Sequence, residues 1–150
     1  MDDITEINTN LYVGAAPGSA LTENPKIDAI LNLSTNLSIR PDMQLQAYYW
    51  HPISDLADSP PRLGVLYHLV EVISLWISLG HKVLVHCAAG ISRSPTVVAA
   101  YLVRSEGLTA AQALNRVLSV RDIHPNVGLR NLLDQYEAFL HPYRDSRCTR

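Results

Sequence analysis

Short alternating or apolar runs occupy the first third of the chain, and a three-to-four-residue periodicity takes over from residue 62. Ile7 to Val13 carries β-branched and aromatic residues and stops at Gly14, which predicts one short strand. Asp28 to Leu33 (DAILNL) is a compact apolar run and predicts a buried strand. Gln46 to Ile53 (QAYYWHPI) is rich in aromatic residues and predicts another, with Pro52 near its end. The adjacent Tyr48, Tyr49 and Trp50 alternate in direction, so they read as packing residues and not as a substrate platform. The segment SDLADSPPR then gathers turn formers and reads as a loop.

Beyond it, Leu63, Leu66, Val70, Ile73 and Ile77 fall on one helical face between Arg62 and Leu79, and Gly80 suits the stop. Lys82 to His86 (KVLVH) predicts a buried strand that runs through Cys87–Ser92 into a helix, Arg93 to Glu106, closed by Gly107. Thr109-x-x-Gln112 is a capping box that opens a third helix through about Val120. Arg121 to Asn126 reads as a loop, Leu129 to Leu140 as the last helix, and the tail from about 142 as frayed. Strands alternating with helices predict an α/β fold: a mixed, largely parallel sheet of four to five strands flanked by helices. No repeat or linker divides the 150 residues, so residues 1–150 are expected to form a single domain.

Composition narrows the class. Hydrophobic residues make up 47% and charged residues 17%, as a globular protein requires. A net charge of −2 gives no field that would draw nucleic acid or an anionic membrane. The acidic start MDDITEIN is no secretory signal, and the longest apolar stretch is broken by Gly64, His68 and Glu71. Two distant cysteines, Cys87 and Cys148, form neither a disulfide framework nor a zinc pair. Together these predict a soluble cytoplasmic protein without a cofactor or metal; they do not bear on its oligomeric state.

The candidate chemistry lies in His86-Cys87-Ala88-Ala89-Gly90-Ile91-Ser92-Arg93-Ser94. A loop between a strand end and a helix N-terminus gathers backbone N–H groups that lack internal partners. Those donors and the helix dipole favour an anion. Ala88, Ala89 and Gly90 are small enough for the backbone to curl around a phosphate, with Ile91 and Ser92 completing the cradle. Arg93 offers a planar fork for two phosphate oxygens. Helix N-termini and nearby arginines favour the thiolate form of a cysteine, so Cys87 is a candidate nucleophile at the floor of the cradle.

This His-Cys-x5-Arg-Ser pattern resembles the hallmark of the protein tyrosine phosphatases, and the chain is similar to their small, atypical dual-specificity branch. HCAAGISRSP carries the resemblance; NTNLYVG, ILNLS and HPNVGLRNLLDQYE extend it over nearly the whole chain. The resemblance implies a two-step reaction through a phosphocysteine on Cys87. It implies that the Ser94 hydroxyl donates to the sulfur, and that His86 orients the loop and tunes the thiolate. A leaving oxygen also needs a proton. The loop after the third strand offers Asp55 and Asp58. The family pattern Pro-x-x-Asp matches Pro52-Ile53-Ser54-Asp55, 32 positions before Cys87, which makes Asp55 the first choice and Asp58 the second. Asn32 in ILNLS matches a family position that steadies the phosphate loop, or it simply forms a turn. Asn126 reads as a loop brace or helix cap. Cys148 could trap an oxidised Cys87, or be an incidental surface thiol.

The five residues between Cys87 and Arg93 are uncharged, whereas phosphoinositide phosphatases of the superfamily tend to carry Lys there. Phosphorylated protein, at Tyr and also Ser or Thr, is therefore the expected substrate by analogy. The alternatives are a lipid, RNA or sugar phosphate, or an inactive phosphate-binding module. A binding module has no need of the thiol.

Overall fold

A computed structural model describes residues 3–17, 26–36 and 45–144. The strand predicted at Ile7–Val13 is in fact two. β1 (Ile4–Asn8) and β2 (Leu11–Gly14) form an antiparallel hairpin that reverses at Thr9 and Asn10. The Asn8 side chain accepts from the Asn10 N–H at 2.8 Å and supports the reversal within the polar run Asn8-Thr9-Asn10. β3 (Ala29–Asn32), β4 (Ala47–Trp50) and β5 (Val83–His86) complete one sheet in the order β1-β2-β5-β3-β4. Pairs β2–β5, β5–β3 and β3–β4 are parallel, as the expected largely parallel sheet requires.

Parallel neighbours need a crossover, and α1 (Leu63–Ser78) supplies it between β4 and β5. β5 is therefore the last strand in the chain but the central one in the sheet. Its side chains alternate between two apolar clusters. Val83, Val85 and Cys87 face the helices together with Leu11, Val13, Ala29 and Leu31. Leu84 faces the other side with Tyr12, Ile27 and Ile30. Tyr48 and Tyr49 obey the same alternation, one packing on each cluster. Each fully buried Leu or Ile contributes about 1.5–3 kcal/mol.

α2 (Arg93–Glu106) lies at the heart of the helical layer. Every residue from Arg93 to Val103 is buried, which explains the run Val97–Val103 with no charged residue on any face. Gly107 ends it in the left-handed region at φ 68°. α3 (Ala110–Leu118) opens on the predicted capping box, with Thr109 and Gln112 bonded reciprocally at 3.1 and 2.9 Å. α4 (Val127–Leu140) begins earlier than expected because the Asn126 side-chain Oδ1 accepts from the Leu129 N–H at 2.9 Å and caps the helix. Arg144, expected in a frayed tail, is instead held: it donates to the Gly107 and Leu108 carbonyls at 2.8 and 3.1 Å. No helix among the described residues is long and apolar enough to cross a membrane.

Candidate active site

At the carboxyl end of β5 the chain turns through residues 87–92 into α2, and each carbonyl in that turn is occupied from outside. The Cys87 oxygen accepts from His86 Nδ1 at 3.3 Å. Ala16 N–H reaches the Ala88 oxygen at 3.0 Å, and His124 N–H reaches the Ile91 oxygen at 2.7 Å. Arg121 takes the Ala89 and Gly90 oxygens at 3.3 and 2.7 Å. Thr96 takes the Ser92 oxygen through its hydroxyl at 2.8 Å. Every peptide here is trans, and in a trans peptide the N–H points opposite the preceding C=O. Six carbonyls turned outward therefore turn six N–H groups, those of residues 88–93, inward. None of these six donates a hydrogen bond to any described residue. Ser92, at the start of α2, supplies no side-chain cap that would compete for them.

Cys87 lies at this focus and is 2% exposed. The Ser94 N–H points at its Sγ at 3.4 Å, and the Ser94 hydroxyl lies 3.2 Å from the sulfur and 3.2 Å from the Gly14 carbonyl oxygen. That hydroxyl can thus donate to the carbonyl while accepting from a thiol, or swing its proton to a thiolate. Arg93 Nη1 is fixed at 3.4 Å to the Leu33 and Ile53 carbonyls. Its Nε is buried and has no partner. A buried guanidinium donor without a partner is costly unless an anion meets it.

His86 is 1% exposed. Burial pulls its pKa down to about 4, only partly opposed by its bond to the Cys87 carbonyl. The ring is therefore neutral near neutral pH, and its Nδ1 is tied to the Cys87 carbonyl.

The loop after β4 reaches the site from the other side. Ile53 N–H bonds the Leu33 carbonyl at 3.1 Å, and the turn beyond is exposed. Asn126 donates from Nδ2 to the Asp55 backbone oxygen at 2.9 Å and to its carboxylate at 3.2 Å. Asp58, on the same turn, has no bond to Asn126. Asn126 is thus both the helix cap and the loop brace, and its N–H also reaches the Ser92 hydroxyl at 3.2 Å. Asn32 is fully buried, but its side chain bonds Ser34, the Asn36 carbonyl and Tyr48. It shapes the turn beside Leu33, and its backbone pairs with His86 in the sheet, while its side chain makes no hydrogen bond to residues 86–94. Cys148 lies outside the described residues.

Arg121 escaped the sequence reading. In the segment RDIHPN it looks like any solvated arginine, and only three-dimensional packing reveals that it is 9% exposed. Among the described residues no group of three or more His, Cys, Asp or Glu could hold a metal.

A largely parallel sheet whose central strand delivers a cysteine into a ring of inward N–H groups, with an arginine beside it, defines a cysteine-dependent phosphatase of the protein tyrosine phosphatase superfamily. Residues 11–139 match the family model of the dual specificity phosphatase catalytic domain, and the chain belongs to that family. Membership puts it among the cysteine-dependent protein phosphatases, which are hydrolases. It is 37% identical over 140 residues to "Putative tyrosine phosphatase 123R" of Invertebrate iridescent virus 6, covering 91% of this chain and 94% of the viral protein. It is 34% identical over 141 residues to human dual specificity protein phosphatase 5, covering 91% of this chain but 36% of that protein. The solved structure of the human tyrosine phosphatase-like serine/threonine/tyrosine-interacting protein superposes with a TM-score of 0.81 at 28% identity, over 93% of this chain and 99% of that one. Because that fold is shared with a phosphatase-like interacting protein, the case for catalysis rests on the residues in the loop.

Proposed function

We propose that residues 1–150 form one catalytic domain that hydrolyses phosphate monoesters on proteins, at Tyr and also at Ser or Thr, through a phosphocysteine on Cys87. The observation that carries this reading is the set of six unpaired, inward-facing N–H groups around the Cys87 sulfur, with the unpartnered Arg93 Nε beside them. A phosphoryl group presents three oxygens to such a cradle, and the N–H groups of Ala88, Ala89, Gly90, Ile91, Ser92 and Arg93 supply the donors. The sulfur attacks phosphorus as the bond to the leaving oxygen breaks. Asp55 gives that oxygen its proton and then takes one from the attacking water. As the S–P bond breaks in the second step, the Ser94 hydroxyl donates to the departing thiolate.

Charge supports a singly phosphorylated group. Among the described residues Arg93 follows directly on this loop and Arg121 bonds its carbonyls, and Asp3 neutralises Arg121 at 2.9 Å. One net positive charge suits one phosphate better than the clustered phosphates of an inositide or an RNA 5′ end. Leu56, Ile91 and Val127 stand exposed on the segments around the loop, a collar suited to apolar neighbours of a phosphorylated residue. The expected site of action is the cytoplasm.

Turnover of phosphotyrosyl and phosphothreonyl peptides, phosphoinositides and an RNA triphosphate end tests the assignment. Phosphopeptides are expected to turn over, with one phosphoryl group on Cys87 in acid-quenched samples, and Cys87→Ser is expected to bind inorganic phosphate without turnover. A folded protein that binds phosphate but turns over no member of the panel would mark a binding module and overturn the proposal.

A further inference from the structure

The phosphate loop owes its shape to a mould on its outer side, and one residue supplies much of it. Arg121 uses all five guanidinium donors. Nε and Nη2 take the consecutive Gly90 and Ala89 carbonyls. Nη1 takes Asp3 Oδ1 at 2.9 Å and Thr5 Oγ1 at 3.0 Å, and Nη2 also takes Asp3 Oδ2 at 3.0 Å. The planar fork thus bridges a bidentate carboxylate on one edge and two loop carbonyls on the other, which lysine cannot reproduce.

Gly90 is the matching half of this contact. Its φ of +70° suits glycine, and a Cβ there would run into Arg121 Nη2 and the backbone of Gly14 and Ala15. Small residues let the loop curl inward. At position 90, glycine also lets the guanidinium approach from outside.

Six N–H dipoles aimed at one point repel each other when no anion is bound. A cation on the outer side attracts the negative ends of two of those peptides and so favours the converging arrangement. We propose that Arg121 is a positioning residue for oxyanion binding, anchored by Asp3, which holds the Gly90 and Ile91 N–H groups on target through the preceding carbonyls. The inference rests on reading residues 87–93 as the phosphate site. Arg121 itself, with every donor engaged and its side chain 7% exposed, does not reach substrate.

The test is the inhibition constant of inorganic phosphate, measured beside KM and kcat for an aryl phosphate with a good leaving group. Arg121→Met leaves two carbonyls unpaired and is expected to raise both the phosphate constant and KM about 10- to 100-fold, with a smaller change in kcat. Arg121→Lys is expected to recover part of that loss. Asp3→Asn alters a side chain that is 67% exposed, so the fold should be retained, and is expected to raise both constants about two- to fivefold. In the Arg121→Met background Asp3→Asn should add nothing, since both act along one path. A lowered melting temperature with an unchanged phosphate constant would make Arg121 a structural brace only, and additive effects of the pair would sever Asp3 from the path. Either result overturns the inference. If the unmodified protein neither binds phosphate nor turns over the aryl phosphate, the phosphatase reading itself fails.

Discussion

The two loops that meet at the site are built on opposite plans. Residues 87–92 are tied down at every carbonyl, by His86 at the end of β5 and by partners from β2's exit, α2 and the segment 121–126. Their geometry is fixed before any ligand arrives, and it leads into the most buried helix of the protein. Residues 54–59 are held mainly by themselves, through Ser54, Leu56 and Ser59. Their outward ties are the Asn126 bonds to Asp55 and the close fit of Ala57 over Gly128, where any side chain would strike the Ala57 carbonyl. The contrast suits the tasks proposed for them. A transition-state cradle gains from preorganisation, whereas a proton donor that must admit a bulky substrate gains from a loop that moves as a unit.

The contrast can be broken most severely at the acid. Asp55→Asn is expected to lower turnover about 10²- to 10⁴-fold on alkyl phosphates, whose leaving groups need the proton, and far less on an aryl phosphate with a good leaving group. Equal small losses on both, or the larger loss in Asp58→Asn, would move the acid elsewhere. Because the loop is exposed, the melting temperature should hardly change.

Damage behind the rigid loop should appear as stability instead. His86 has its pKa lowered to about 4 by burial. As pH falls through the ordinary value of about 6.5 the unfolded chain takes up a proton that the folded chain refuses until about 4. The folded state is thus favoured fully above pH 6.5 and loses on the order of 3 kcal/mol between pH 6.5 and 4 from this group. Denaturant midpoints at pH 7 and 4.5 should converge in His86→Asn relative to the unmodified protein; parallel pH dependence in the two would contradict a neutral His86.

The smallest effect separates the two duties of Asn126. Asn126→Ser keeps an oxygen for the α4 cap but loses the amide donor to Asp55, so stability should fall by no more than about 1 kcal/mol. Turnover of poor leaving groups should fall roughly three- to tenfold, with little change for good ones. A loss that is the same for both leaving groups would leave Asn126 as a cap alone.

The sequence made the nucleophile's side of this comparison plain and left its support hidden. HCAAGISRS is contiguous, so strand, turn, cradle and helix could be read from neighbouring residues, as could the Thr109 capping box and the apolar face of α1. The hairpin at Ile4–Gly14 was missed although the polar run Asn8-Thr9-Asn10 is a turn signal, because the turn lacks Gly and Pro and the strands on either side are only five and four residues long. Asn32 was legible as a buried polar residue at a strand end, but its partners Tyr48 and Asn36 come from packing. Arg121 illustrates the limit. Whether an arginine is solvated or buried depends on what the rest of the chain brings to it, and here that includes Asp3.

Asp3 and Arg121 are 118 positions apart in the chain, and the loop they shape lies between them. This long reach bears on how the protein is made. A ribosome releases Cys87 well before Arg121, His124 and Asn126, so a nascent chain that ends short of Arg121 holds Cys87 without its mould. Contacts of such span form late, after the costly closure of a long loop. The thiol should therefore become a competent nucleophile only once residues 121–126 have packed against the loop, so that activity waits on the synthesis of that segment.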